Sequence, residues 1–291
     1  MKYQEIVAHS SHVNHVRFDE SGHFIFSLGF NGEIKEWNTH SLHLSAEYIG
    51  HSKTVNDLLT DDVGQKLISI SGDGYMKIWD SAFKKEEDSF LLDKKGLTSF
   101  FKVSEKFVWL STSSQKLLCY DMKKSAITFK IKSKFKNQRI LDYNHKKNIL
   151  AIGGLGEIIQ LINAENGELI KEIQGHHPAV SGLRFLDDTY YLSVGYNGDL
   201  LLVDFENEKE IDRKILIGEN FYAMAMDTSE SRIAISSAHK VSVLSSSSLE
   251  IIHEFKTTSK GNYGLVFSPS GKMLALASAD KKVRLWTFED Q

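Results

Sequence analysis

The stretch Gly50–Asp80, which reads GHSKTVNDLLTDDVGQKLISISGDGYMKIWD, decides the fold. It holds three short apolar runs that are separated by clusters of aspartate and glycine. Short apolar runs bounded by such turn-forming residues predict β-strands rather than helices. A sheet of so few strands cannot bury its own apolar faces. The stretch therefore predicts that similar units elsewhere in the chain cover it.

The same unit recurs along the whole chain. Each repeat ends its third apolar run on an equivalent closing residue, and successive closing residues lie 41 or 42 positions apart. The predicted closing residues are Trp37, Trp79, Tyr120, Leu161, Val203, Leu244 and Trp286. A period of about 40–45 residues with Gly-His and Trp-Asp landmarks is typical of the four-stranded blades of a β-propeller.

On these landmarks, the chain resembles the WD40-repeat β-propellers over its full length. In that family, four side chains form a hydrogen-bonded tetrad inside a blade, and the second repeat carries candidates for all four. The resemblance assigns the tetrad to His51, Ser71, Asp73 and Trp79. Histidine donates and accepts, aspartate accepts and tryptophan donates, so the tetrad is expected to fix a turn rather than to do chemistry.

The other repeats keep the tetrad only in part. The remnants are His9 and Trp37 with Asn31 for the aspartate in blade one, His176 with Asn197 in blade five, and Ser278, Asp280 and Trp286 without a histidine in blade seven. The repeats predict an all-β fold, namely one seven-bladed β-propeller of four-stranded antiparallel blades over residues 1–291. Too few residues follow Trp286 for a fourth strand, so the N-terminal strand around Glu5–Val7 is expected to complete the last blade.

Composition narrows the class of protein. The formal net charge of −3 does not favour nucleic acid as the main partner. Cys119 is the only cysteine, which excludes an intramolecular disulfide. The first residues lack the apolar run of a signal peptide, and no stretch of the sequence is apolar enough to span a membrane. We therefore expect a monomeric cytoplasmic protein, or a nuclear one in a eukaryote.

The sequence offers no motif for catalysis, a metal or a cofactor. The blade-one histidines His9, His12 and His15 could suggest zinc, but a zinc site needs three or four converging ligands, and His9 occupies the tetrad position. We expect no catalytic residues, no metal and no cofactor. A propeller hydrolase or isomerase remains an alternative, because one sequence does not reveal which side chains converge in space.

The resemblance implies a rigid platform that binds protein or peptide partners through one propeller face, often within a multiprotein complex. Carried over to this chain, the family's contact positions include His12, Asn14, Phe30, Thr54, Asn56, Arg139, Tyr196, Tyr222 and Tyr263. Large aromatic side chains and arginine are typical of binding hot spots. The alternative is that these rings plug the channel or pack between neighbouring blades.

A basic stretch runs from Lys116 to Lys147, where ten Lys or Arg residues stand against two Asp. Within it, lysine occupies every second position at Lys130, Lys132, Lys134 and Lys136, in a segment placed on the outer strand of blade three. Lysines on an edge strand can simply prevent edge-to-edge aggregation. The alternative function is a receptor for an anionic ligand, such as a phosphate-bearing lipid, a peptide or a nucleic acid.

Overall fold

The computed structural model describes residues 1–61, 65–216 and 220–288. Across these residues, strands β1 to β28 form seven four-stranded antiparallel sheets, and there is no helix. The predicted all-β, seven-bladed β-propeller is therefore confirmed. None of the described residues forms a helix with the length and apolarity needed to cross a lipid bilayer.

The chain falls into two compact units, one of Met1–Lys94 with Tyr222–Gln291 and one of Lys95–Phe221. The prediction of a single domain over residues 1–291 stays a prediction. In blades one to six, the four strands follow one another in chain order, so that the fourth strand has a neighbour on one side only. We call this fourth strand the edge strand.

The first unit carries blades one, two, six and seven. Its strands are β2 (Val13–Phe18), β3 (Phe24–Gly29), β4 (Ile34–Asn38) and β5 (Leu44–Tyr48) in blade one; β6 (Val55–Thr60), β7 (Lys66–Ser71), β8 (Tyr75–Asp80) and β9 (Lys85–Leu91) in blade two; β22 (Phe221–Met226), β23 (Arg232–Ser237), β24 (Lys240–Ser245) and β25 (Ile251–Lys256) in blade six; and β26 (Asn262–Phe267), β27 (Met273–Ser278), β28 (Lys282–Thr287) and β1 (Lys2–Val7) in blade seven.

The second unit carries blades three, four and five. Its strands are β10 (Leu97–Lys102), β11 (Phe107–Thr112), β12 (Lys116–Asp121) and β13 (Ala126–Lys132) in blade three; β14 (Lys136–Asn144), β15 (Ile149–Leu155), β16 (Ile158–Asn163) and β17 (Leu169–Gln174) in blade four; and β18 (Val180–Phe185), β19 (Tyr190–Gly195), β20 (Asp199–Asp204) and β21 (Lys209–Ile215) in blade five.

The N-terminal strand completes the last blade, as predicted. Strand β1 pairs antiparallel with β28, with Lys2 opposite Thr287 at one end and Val7 opposite Lys282 at the other. The side chain of Ile6 in this strand is buried against the core that blades seven and one share. This pairing covers the edge of β28, and β1 becomes the outer strand of the blade.

A β-bulge lies directly before the closing residue of most blades. Its position shows that the predicted closing residue of blade four was wrong. In blade two, the register between β8 and β9 shifts between Ile78 and Trp79, and the same shift precedes the predicted closing residue in blades one, three, five and six. In blade four, the shift lies between Leu161 and Ile162. The closing residue there is Ile162, so the prediction of Leu161 was wrong by one position.

The core lies between neighbouring blades within each unit. Between blades one and two, Tyr48 and Trp79 pack with ring centroids 5.8 Å apart, and both side chains are fully buried. In the second unit, Tyr191 and Phe205 stack in the core between blades four and five. The second strand of each blade is buried along nearly its whole length, so side chains on both of its faces pack inside the protein.

Candidate partner-binding surface

The hydrogen-bonded tetrad of blade two forms with one change from the prediction. His51 Nδ1 lies 3.0 Å from Asp73 Oδ2, His51 Nε2 lies 2.8 Å from Ser69 Oγ, and Trp79 Nε1 donates to Ser69 Oγ at 2.8 Å. Because the carboxylate only accepts, His51 donates from Nδ1 to Asp73, while Nε2 shares a hydrogen bond with the Ser69 hydroxyl. The serine of the tetrad is therefore Ser69 and not Ser71.

The strand register explains this correction. Trp79 lies opposite Leu67 in the β7–β8 ladder, so its indole reaches the next residue on the same face, which is Ser69. Ser71 lies one step further along that face. Its hydroxyl donates to the Lys53 carbonyl at 3.1 Å and accepts from the Asp73 backbone N–H at 3.1 Å. Ser71 therefore stabilises the turn rather than the tetrad.

The carboxylate of Asp73 in the tetrad is ionised, and several hydrogen bonds hold it in place. Burial raises the pKa of Asp73, but hydrogen bonds from His51 and from the backbone N–H groups of Tyr75 and Ser52 lower it by more. The pKa of Asp73 therefore lies well below its usual range. Every polar group of this network has a partner inside the blade, which supports a structural role.

Blade one has a similar chain of hydrogen bonds from a carboxylate through histidine and serine to tryptophan, but a different residue supplies the carboxylate. We call this chain the relay. His9 Nε2 lies 2.7 Å from Ser27 Oγ, and Trp37 Nε1 donates to the same hydroxyl at 2.9 Å. The carboxylate is that of Glu33, which lies 3.0 Å from His9 Nδ1. Asn31, predicted at that position, instead donates to Ser10 Oγ at 3.1 Å.

Blade five keeps only half of the relay. His176 Nε2 lies 2.9 Å from Ser193 Oγ, whereas its buried Nδ1 has no hydrogen-bond partner among the described residues. Asn197, predicted in the turn, donates to Asp199 at 3.0 Å instead. Burial lowers the pKa of His176 to about 4, so its ring is neutral at physiological pH.

Blade seven replaces the relay with a buried arginine that sequence reasoning missed. The Arg284 guanidinium is 2 % exposed; it donates to Ser278 Oγ at 2.9 Å and to Asp280 Oδ1 at 3.0 Å. Ser278 in turn donates to the buried Asn262 amide oxygen at 3.0 Å. The sequence did contain a signal for this arginine. Blade seven keeps Ser278, Asp280 and Trp286 but has no histidine, and Arg284 stands two residues before Trp286.

Four of the predicted contact residues lie together in the first unit. The ring centroid of Phe30 lies 5.5 Å from that of His12 and 5.6 Å from that of Tyr263. The Tyr263 centroid lies 6.4 Å from that of His12 and 6.1 Å from that of Tyr222. Phe30 and His12 are exposed, and the two tyrosines are half-buried. We call these four residues the aromatic surface.

The backbone around the aromatic surface holds its rings in place. Phe30 N–H donates to the His12 carbonyl at 3.0 Å, and His12 Nδ1 hydrogen bonds the Ala279 carbonyl of blade seven. Gly261 lies under the Tyr263 ring, because a Cβ atom at that glycine would lie 2.9 Å from Tyr263 Cζ. The rings therefore pack against backbone and against each other while one side stays open to solvent.

The predicted polar contact residues nearby are used to join blades one and two. Asn14 Nδ2 donates to the Val55 carbonyl at 2.9 Å and to Asn56 Oδ1 at 3.2 Å. Thr54 Oγ1 donates to the Phe30 carbonyl at 3.2 Å. These side chains position the aromatic surface. Part of their own hydrogen-bonding capacity is already used in these contacts.

A partly buried ion pair joins the same two strands. Arg17 on β2 donates to both carboxylate oxygens of Asp57 on β6, at 2.9 and 3.0 Å. Burial raises the pKa of Asp57, but the charges of Arg17 and then of His15 more than offset this, so the pKa lies below its usual value. A bidentate pair of this kind sets the relative position of two strands with high geometric specificity.

The remaining predicted contact residues belong to the second unit. The Tyr196 hydroxyl accepts from Asn220 Nδ2 at 3.0 Å. Arg139 lies on β14 with an exposed side chain. Whether these residues and those of the first unit contact one partner stays a prediction.

The lysine-rich segment divides between two blades. Lys130 and Lys132 are exposed on edge strand β13, which ends at Lys132, because the chain then turns inward to the buried Phe135. Lys134 lies beyond the strand and pairs with Glu172 at 2.9 Å. Lys136 begins β14 of blade four, and its side chain lies outside the described residues. The prediction that all four lysines share one edge strand was therefore wrong.

The geometry offers no assembled site for metal chemistry in the part of the chain that the structure describes. There, no three His, Cys, Asp or Glu side chains come close enough to hold a metal ion. His12 contacts rings and a backbone carbonyl, while His9 is buried in its relay. In the first unit, the structure holds four aromatic side chains together beside the ends of the strands.

Comparison with known proteins gives one family. The model for the WD domain, G-beta repeat, matches residues 2–38, 43–80 and 250–287. Each match covers the first three strands of blade one, two or seven together with the outer strand that precedes them in the chain. These are the blades whose Trp37, Trp79 and Trp286 close the third strand. No curated protein matches the chain.

Proposed function

Because this chain belongs to the WD40-repeat β-propellers, we propose that it is a non-enzymatic scaffold or peptide receptor that binds a protein partner through the aromatic surface. Propellers of this family generally mediate protein–protein interactions. The observation that carries the proposal is the grouping of four aromatic side chains from three blades, in which each ring centroid lies within 6.4 Å of at least one other. Such rings bury a large area on binding at a small cost in side-chain entropy.

Exposure of the rings supports binding over internal packing. Phe30 is 36 % exposed, although it contacts both His12 and Tyr263. A ring that served only to fill space between blades would be buried like Trp79, which is 1 % exposed. The partner would cover the open side of these rings, and the protein would act within a larger complex.

Affinity capture tests this proposal. Wild-type protein and the Phe30→Ser/Tyr263→Ser variant are used as baits in native lysate, with bound proteins quantified by mass spectrometry at low and high salt. The matched control is Phe83→Ser, which removes a ring that is 74 % exposed outside the aromatic surface. We expect a partner retained in high salt by wild type and control, and lost from the double variant. Equal capture by all three proteins would refute the proposal.

A second candidate function is binding of an anionic ligand along strand β13. Lys132 lies directly opposite Lys116 in the β12–β13 ladder, and like charges so placed destabilise a sheet. A bound phosphate would relieve this repulsion. Calorimetry with inositol hexakisphosphate tests it: Lys130→Gln/Lys132→Gln should lose salt-sensitive binding, whereas the control Lys123→Gln/Lys124→Gln should keep it. Binding that is equal in both variants would refute it.

A further inference from the structure

A cleft of about 450 Å³ lies between blades one and two, at the opposite end of strand β2 from the aromatic surface. His12 precedes β2, whereas Asp19 and Glu20 follow it and line the cleft. A strand of six residues spans about 20 Å, so the cleft and the aromatic surface are separate places.

One part of the cleft lining already holds an ammonium group. Lys84 Nζ donates to both oxygens of Glu36, at 3.1 and 2.8 Å, and lies 5.7 Å from the centroid of the Tyr48 ring. The hydroxyls of Ser45 and Tyr48 each donate to the same carboxylate at 2.8 Å. The cleft is therefore built to accept a cation against a carboxylate and an aromatic face.

Another part of the cleft lining carries negative charge that no lining cation balances. Lys84 neutralises Glu36, which leaves the carboxylates of Asp19 and Glu20. Neither forms an ion pair with any described residue. Asp19 Oδ1 accepts the Phe24 backbone N–H at 2.8 Å, and Oδ2 accepts hydrogen bonds from the backbone N–H and the hydroxyl of Ser21, which fix the carboxylate in the turn between β2 and β3.

Apolar side chains also line the cleft. Phe24 is half-buried, and Phe26 and Leu67 form a buried floor. Lysine and arginine bury their aliphatic stems on apolar surfaces while the charged head remains near polar groups. A lining of apolar side chains and uncompensated carboxylates matches that amphipathic shape.

We propose that this cleft binds a lysine or arginine side chain of a peptide partner. The stem lies along Phe24 and Leu67, and the ammonium or guanidinium group contacts Asp19 and Glu20 beside the Lys84–Glu36 pair. The site is independent of the aromatic surface, so the protein would present two binding sites at opposite ends of the same strands.

Methyl NMR of the full chain tests this inference at the cleft itself. Leu67 methyl signals are followed during titration with Nα-acetyl-arginine methylamide and Nα-acetyl-lysine methylamide, and with their uncharged citrulline and norleucine counterparts. The variants are Glu20→Gln and Asp19→Asn/Glu20→Gln. Glu20 makes no hydrogen bond or ion pair with the described residues, so its single substitution leaves the fold intact. Glu230→Gln, an exposed carboxylate in the matching loop of blade six, is the control.

We expect saturable shifts of the Leu67 signals with both cationic probes and none with their uncharged counterparts. The double variant should weaken binding roughly tenfold, which corresponds to the loss of about one charge-assisted hydrogen bond. The control Glu230→Gln should leave binding unchanged. Equal shifts from the uncharged probes, or unchanged binding in the double variant, would overturn the inference. Spermidine is titrated in parallel: a response to spermidine with none to the amino-acid probes would also overturn it, because the ligand would then be a free polyamine.

Discussion

Phe30 of blade one and Tyr263 of blade seven lie with their ring centroids 5.6 Å apart, although they come from opposite ends of the sequence. His12 contacts both rings, and Tyr222 of blade six extends the group. The contact depends on the packing of β2 against β26, which brings the first strands of the two blades together. The aromatic surface, which we propose as the binding site, is thus formed by residues that are far apart in the sequence.

The Gly261→Ala substitution should move a ring of the aromatic surface without unfolding the protein. The added Cβ would lie 2.9 Å from Tyr263 Cζ, so the flexible ring must swing away. We expect partner capture to weaken severalfold with little change in the free energy of unfolding. In the control Gly72→Ala, the added Cβ meets its nearest atoms at 3.8 Å, and capture should be unchanged. Equal capture by both variants would contradict the role of Tyr263.

Ser69→Ala should destabilise the protein more than Ser71→Ala. The first change leaves His51 Nε2 and the Trp79 indole N–H buried without their partner, at a cost of roughly 2–5 kcal/mol. The second removes two bonds to half-buried backbone groups, at a cost of about 1–2 kcal/mol. Urea unfolding monitored by tryptophan fluorescence measures both. If Ser71→Ala destabilised the protein more than Ser69→Ala, the tetrad serine would be Ser71 and not Ser69.

The buried His176 should make stability depend on pH. Its pKa falls from 6.5 to about 4 in the folded protein, because burial disfavours the charged ring. The unfolded chain therefore binds more protons between these values, so stability is complete above pH 6.5 and is lost as pH falls towards 4. The loss amounts to about 3 kcal/mol at 1.36 kcal/mol per pKa unit.

Unfolding measured between pH 4 and 7 checks this dependence. His176→Gln should flatten the curve, whereas the control His40→Gln, at an exposed position, should leave its shape unchanged. An identical pH dependence in wild type and His176→Gln would rule out this histidine as the source.

Deletion of residues 1–7 should destabilise blade seven and promote aggregation. The deletion removes strand β1, exposes the edge of β28 and takes away Ile6, whose burial alone contributes roughly 2–3 kcal/mol. It also removes the Glu5 carboxylate, which pairs with Lys282 at 2.5 Å. Calorimetry should show a lower melting temperature, and light scattering should show larger particles. Glu5→Gln alone should change the melting temperature little, since exposed ion pairs contribute little. A truncated protein with the wild-type melting temperature would contradict the pairing.

Most of the fold could be predicted because the repeat period, the turn residues and the closing tryptophans are local signals. The N-terminal strand also followed from counting, since too few residues come after Trp286. The error of one position at Leu161 arose because blade four lacks a tryptophan, and only the β-bulge before Ile162 fixes its register.

The site was less predictable, because side-chain reach depends on register and on neighbouring blades. Ser69 and Ser71 lie on the same face of one strand, and sequence spacing alone did not show which one faces the indole of Trp79. Glu33 took the acid position of blade one in place of Asn31 for a similar reason. Strand β13 ends at Lys132 because the chain then turns to bury Phe135. The sequence did not indicate this end, because lysine continues at every second position beyond it.

Site-specific photo-crosslinking tests the central claim most directly. A benzophenone amino acid replaces Tyr263 in one protein and the exposed Phe83 in another, and both are irradiated in the native cell extract. The aromatic surface predicts a discrete protein adduct from position 263 that position 83 does not form. The same adducts from both positions, or no adduct from position 263 in a protein that still captures its partner, would contradict the claim that this surface binds it.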